Sequence, residues 1–179
     1  MDVSLSSLEG ATRDPDSIVT GELLASWERQ TRILTNLSDR IGEEERGLKA
    51  SIDGWPVDEH LAHIHEVRYG WLSKVSQPHA AKLGEVFEQH GDEWKPIADL
   101  DEIKRQLALS GAAVGSAVRD LIEARAGKVG PYSHPVHFLQ HMIWHEGYHF
   151  AVLTLALRLA GKESSEEWEE ENVWGVWRS

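Results

Sequence analysis

Leu23, Leu24, Trp27, Thr31, Leu34, Leu37 and Ile41 recur at spacings of three and four, the apolar stripe of an amphipathic helix. Asp14-Pro15-Asp16 just ahead of it is a helix-start signal with proline near the first turn, and Gly42 ends it. A second stripe, Val57, Leu61, Ile64, Trp71 and Val75, begins behind Pro56 and stops at Pro78. A third, Ile103, Leu107, Val114, Ala117 and Leu121, follows Asp99 as N-cap, with Glu102 placed for a capping box. The fourth helix is a nearly continuous apolar run that opens at Pro135 and reaches about Ala160, with Gly161 as a good residue just past its end.

Between these elements, residues 43–54 form a charged connection and Gly127 to Pro135 a loop. Residues 77–97 carry Gly84, Gly91 and Pro96 with weak periodicity and read as a long connection, with room for a short helix. Long connections in compact domains are often functional or mobile. No convincing strand and no internal repeat is visible. The pattern predicts an all-α fold, a four-helix bundle with one long crossover connection, in which metal sites form between facing helices. Residues 1–15 read as a flexible arm and 16–179 as one domain with a tryptophan-rich tail. Gly111 and Gly115 lie inside the third helix, where each weakens it by about 1 kcal/mol relative to alanine. Close approach of a neighbouring helix and a mid-helix bend explain them equally well. Trp168, Trp174 and Trp177 in the tail are expected to pack on the bundle or across an interface.

Composition narrows the function. The 179 residues are 41% hydrophobic, enough for a single core, and include no cysteine. Disulfides, thiolate ligands and a protein-borne thiol nucleophile are therefore excluded, and any thiol chemistry needs an external thiol. A net charge of −12 argues against nucleic acid and anionic membranes as partners and favours a small-molecule substrate. With no secretory signal and no apolar run long enough for a bilayer, a cytoplasmic location is expected.

Ten histidines carry the candidate chemistry. His145 and His149, in Trp144-His145-Glu146-Gly147-Tyr148-His149, are four residues apart and project from one helical face, a ready chelate for zinc or nickel. Chance alone supplies about half an i,i+4 pair at this composition, yet the fourth helix has three in series from His137 through His141. His137 and His141 read as buried polar or supporting residues and His134 as a loop or cap residue. A third ligand has to come from another helix. His60 and His63 both compete there, and periodicity does not choose between them; His65 points away from the side those two share. His79 and His90 read as solvated.

Glu146 opens two rival readings. His145-Glu146-Gly147-Tyr148-His149 matches H-E-x-x-H, where a glutamate acts as general base in zinc proteases, with Glu169 as a possible carboxylate ligand. The chain shows no sheet to hold a peptide, and the motif sits too near the C-terminus for a second lobe. Glu146-x-x-His149 is also half of a di-iron signature, but no second copy is present. The plainest reading of Glu146 is a surface carboxylate or one that orients an imidazole.

Taken together, these residues resemble the DinB-like superfamily of metal-binding four-helix bundles. Trp55-Pro56-Val57-Asp58-Glu59-His60-Leu61-Ala62-His63-Ile64 is similar to that family's tryptophan-led second helix, in which a histidine eight residues after the tryptophan is a ligand; this selects His63. Glu66 also suits the pattern. Trp144 to His149 resembles the family's final-helix H-x-x-x-H, whereas Phe150-Ala151-Val152 stands where many members carry a basic residue, glycine and glutamine. The resemblance covers the chain from about residue 18. It implies a divalent metal on His63, His145 and His149 with open positions, and often a homodimer. Characterised relatives include S-transferases and isomerases that use low-molecular-weight thiols. The leading expectation is thus a metal-dependent, thiol-using S-transferase acting on small molecules. The alternatives are a hydrolase using metal-bound hydroxide and a non-catalytic metal-binding stress-response module.

Overall fold

A computed structural model describes residues 15–178; the expected arm lies outside the described residues except for its last position, Pro15, which already belongs to a helix. Four long helices dominate: α1 (Pro15–Asp39), α2 (Val57–Val75), α4 (Leu100–Glu123) and α5 (Pro135–Leu159). The crossover between α2 and α4 holds a one-turn helix, α3 (Gln77–Ala80), and a hairpin of β1 (Phe87–His90) and β2 (Glu93–Pro96). The tail begins with another single turn, α6 (Glu166–Glu169).

The helix ends follow their local signals. The Asp99 side chain accepts from the Glu102 backbone N–H at 3.0 Å. The Glu102 carboxylate does not close a capping box; it takes Arg105 and Gln106 instead. His134 caps α5 by accepting from Val136 N–H. Gly161 adopts φ +69°, and Lys162 N–H donates back to Leu157 O, the close of a left-handed helix end.

Two apolar layers fill the bundle. One joins Leu34, Leu37 and Ile41 to Leu61, Ile64, Ile103, Leu107 and Leu153. The other joins Leu24 and Trp27 to Leu72, Val114, Val118, Phe138 and Met142. The first layer therefore collects the ends of α1 and α5 and the starts of α2 and α4. The topology is up-down-down-up, and parallel α2 and α4 are what require the long crossover. Leu72 rather than Trp71 is the buried residue near the end of α2, and Val118 rather than Leu121 near the end of α4; Trp71 and Leu121 are half-buried. α5 reads as apolar all round because its outer face exposes Trp144, Tyr148, Leu155 and Leu159. No helix among the described residues is long and apolar enough to cross a membrane.

The strand pair was not expected. Its signal is Gly91-Asp92, a two-residue hairpin turn between Phe87 and Trp94, with Gly91 at φ +63°. The tail does dock on the bundle, but through valines. Val173 and Val176 are buried against Ile33, while Trp168 is half-buried under Arg40. Trp174 and Trp177, each one residue on from a buried valine, turn to the outer side and remain 54% and 47% exposed.

The two glycines of α4 mark close approach, not a bend. A Cβ on Gly111 would lie 2.5 Å from Thr31 Cγ2 and 3.2 Å from Arg68 Nη1, and one on Gly115 3.0 Å from Trp27 Cδ1. Trp27 Nε1 donates to Gly111 O at 2.8 Å. Gly70, inside α2, meets nothing within 4 Å. Gly111→Ala is therefore expected to lower stability by about 1–3 kcal/mol through overpacking, despite its better helix propensity. Gly70→Ala should raise it by up to ~1 kcal/mol. Chemical denaturation of the two variants checks the contrast, and equal shifts would mean that α1 does not press on α4 at Gly111.

Candidate metal centre

His63 stands on α2 and His145 and His149 on α5, where the two helices run side by side. His145 Nε2 lies 3.3 Å from His63 Nε2 and 3.2 Å from His149 Nε2. Among the described residues this is the one group of three or more His, Asp or Glu side chains placed to hold a metal ion. The donor set fits such an ion. Zinc–imidazole bonds of about 2.0–2.1 Å at tetrahedral angles separate the nitrogens by roughly 3.3 Å, the spacing seen here. Three lone pairs pointed at one spot otherwise repel unless protons separate them.

His60, the competing residue, has a different place. Its Nδ1 lies 2.9 Å from His149 Nδ1, on the side of that ring away from the cluster. One of these nitrogens must carry the proton. With the proton on His149 Nδ1, His149 donates to His60 and keeps its Nε2 lone pair toward His63 and His145. His60 is buried and in that arrangement orients the His149 ring, the place a supporting partner of a ligating histidine takes. Trp55 packs across His63 and His60, with ring centroids at 5.0 Å and 5.6 Å.

The other histidines do not join the cluster. His65 is fully buried on the opposite side of α2, against Gln106 O and Gly84 O. His141 pairs with Tyr132 Oη at 2.7 Å. His137, expected as a buried or supporting residue, is exposed and bonds Ser133. His90 is exposed beside Glu88, and His79, expected as solvated, is half-buried against Ser76 and Asp120.

Glu146 is neither a surface residue nor a partner of an imidazole. It is fully buried, and its Oε1 accepts from Arg68 Nε at 2.7 Å. Position 146 is rotated about 100° from position 145, enough to send His145 to the cluster and Glu146 to the core. The base required by the zinc-protease reading is thus unavailable, and Glu169 is not part of the cluster.

Burial, reinforced by His63, holds His145 down at about 4, and burial with His145 holds His149 down at about 3. Burial also lowers His60 and His63. All four rings are therefore neutral near pH 7, the form that binds metal. The cluster borders a cavity of about 380 Å³ lined by His63, Glu66, Tyr69, Glu85, Phe87 and Trp94. The hairpin supplies Phe87 and Trp94, so a segment that carried no readable periodicity forms part of this wall.

The chain matches the DinB family over residues 12–169, most of its length, and it belongs to that family. No curated protein and no solved structure matches it significantly.

Two outcomes follow from the geometry. Alanine at His63, His145 or His149 should reduce bound divalent metal sharply, His60→Ala should weaken affinity by roughly 10–100-fold, and His137→Ala should leave it unchanged. Metal analysis with a competition titration measures each; full occupancy in His63→Ala would place His60 in the coordination set instead. For the metal-free protein, His145 and His149 titrate near 6.5 when unfolded but at about 4 and about 3 when folded. As pH falls below about 6.5 the unfolded state takes up protons that the folded state refuses, so stability is greatest above that value and declines toward pH 4. Denaturation midpoints at pH 7.5 and 5 should show this loss, and His149→Ala should shrink it.

Proposed function

We propose that this member of the DinB family is a metal-dependent enzyme acting on small molecules, and that it transfers a low-molecular-weight thiol to an electrophile. The observation that carries the reading is the convergence of three neutral imidazole nitrogens, with no anionic ligand among them, beside a cavity. A zinc or nickel ion held there would keep nearly all its charge and lower the pKa of a thiol brought to it. The chain's own residues supply placement. His60 fixes His149, Trp55 packs on His63, and the rings of Tyr69, Phe87 and Trp94 narrow the approach. In the transfer, the thiol sulfur bonds to the electrophilic carbon as the leaving group departs, and the thiol proton goes to solvent. The cysteine-free chain cannot provide that sulfur itself.

Hydrolysis is the second reading, and Glu66 is the observation in its favour. Its half-buried carboxyl, raised above the ordinary range by burial and then by Glu85, lines the same cavity as His63 and can accept a proton. Glu146, locked to Arg68, cannot. The homodimer implied by the family resemblance would cover the exposed α5 face of Trp144, Tyr148, Leu155 and Leu159.

The two readings separate in one assay set. Protein loaded with zinc or nickel should accelerate conjugation of small thiols such as cysteamine to monochlorobimane. That rate should fall at least ~100-fold in His149→Ala and disappear with a chelator. Hydrolysis of p-nitrophenyl acetate without thiol conjugation would favour the hydrolase. Metal binding with neither activity would leave a non-catalytic metal-binding module.

A further inference from the structure

The cavity beside His63 has a chemical character of its own. Beside His63 it is lined by two acidic residues, Glu66 one helical turn along α2 and Glu85 from the crossover, and by three aromatic ones, Tyr69, Phe87 and Trp94. Neither carboxylate has a hydrogen bond or ion pair with another described residue, unlike Glu88, Glu93 and Glu102 nearby, which have partners. Glu66 is half-buried and Glu85 is exposed, and burial, then repulsion from Glu85, raises the Glu66 carboxyl above the ordinary range.

We propose that this cavity is a seat for a cationic nitrogen, an ammonium or quaternary ammonium group carried by the small molecule whose other end reaches the imidazole cluster. The proposal rests on the functional reading above only in taking the cavity as the approach to His63. A cation there shares the cavity with two carboxylates and three aromatic rings, and both kinds of group attract it, most strongly when it sheds water. A neutral or anionic group would meet the same carboxylates unpaired. The volume of about 380 Å³ suits a small ligand rather than a peptide. Glu66 lies three residues beyond His63, about 4.5 Å along the helix axis and on the same helical face, so one small molecule can reach both.

Choline and its uncharged isostere 3,3-dimethylbutan-1-ol differ in this charge alone. Calorimetric titration into metal-free protein should show choline favoured by ~10-fold or more. The preference should collapse in Glu66→Gln/Glu85→Gln, and Trp94→Leu, at a site 62% exposed on the hairpin, should weaken choline several-fold. Circular dichroism confirms that the variants keep their helix content. Equal binding of the two compounds, no choline binding, or a preference that survives the double substitution would overturn the seat. Metal content of the same preparations keeps the two ideas apart. Metal uptake without a choline preference removes only the seat, whereas a choline preference in a protein that takes up no metal leaves the seat and ends the metal reading.

Discussion

The pair Arg68–Glu146 is the constraint on which the rest of this bundle depends. Both side chains are essentially without exposure, Arg68 on α2 and Glu146 on α5, and Arg68 also donates through Nη1 to Leu107 O and Ser110 Oγ on α4. Trp27 of α1 covers the guanidinium at 5.3 Å. One buried cation thus engages all four long helices. Withdrawing two charges from water costs several kcal/mol per ion, and removing a single partner typically costs about 3–5 kcal/mol. Arg68 Nη2 and Glu146 Oε2 have no hydrogen-bond partner, so the pair is not an optimised source of stability. Its structural consequence is register. Any slide of α2 along α5 separates the charges inside a medium that strongly penalises separation.

That register bears directly on the candidate centre. His63 lies five positions before Arg68, and His145 immediately precedes Glu146. Fixing Arg68 against Glu146 therefore fixes His63 level with His145 and His149. The same turn of α5 directs its carboxylate to the core and its imidazoles to the cluster. The H-E-x-x-H spelling is real, but its glutamate serves the scaffold rather than the chemistry.

The crossover acts on the outer side of the same helix. Parallel α2 and α4 oblige the chain to return the length of the bundle, and the return segment brings Glu85, Phe87 and Trp94 over the α2 face that carries His63 and Glu66. Val86 is buried and accepts from Ile97 N–H, which anchors the hairpin at its base. The topology that solves a connection problem also shapes the entrance to the cluster.

Much of this was legible along the chain. Three amphipathic stripes and one nearly continuous apolar run located the four long helices. Asp99, His134, Pro135 and Gly161 marked boundaries through bonds made within a few residues, and the i,i+4 step placed His145 and His149 together on one turn. Local periodicity could not choose between His60 and His63; family resemblance pointed to His63, and the packing of α2 on α5 brings that ring to the cluster. Nor could it reveal that Arg68 balances Glu146, that Gly111 makes room for Thr31, or that Val173 and Val176 anchor the tail while Trp174 and Trp177 stay outside. Backbone hydrogen bonding and side-chain periodicity act over one or two turns and can be read in order. The rotation and axial register of one helix against another are set by contacts between residues far apart in the chain, and these exist only once the bundle has closed.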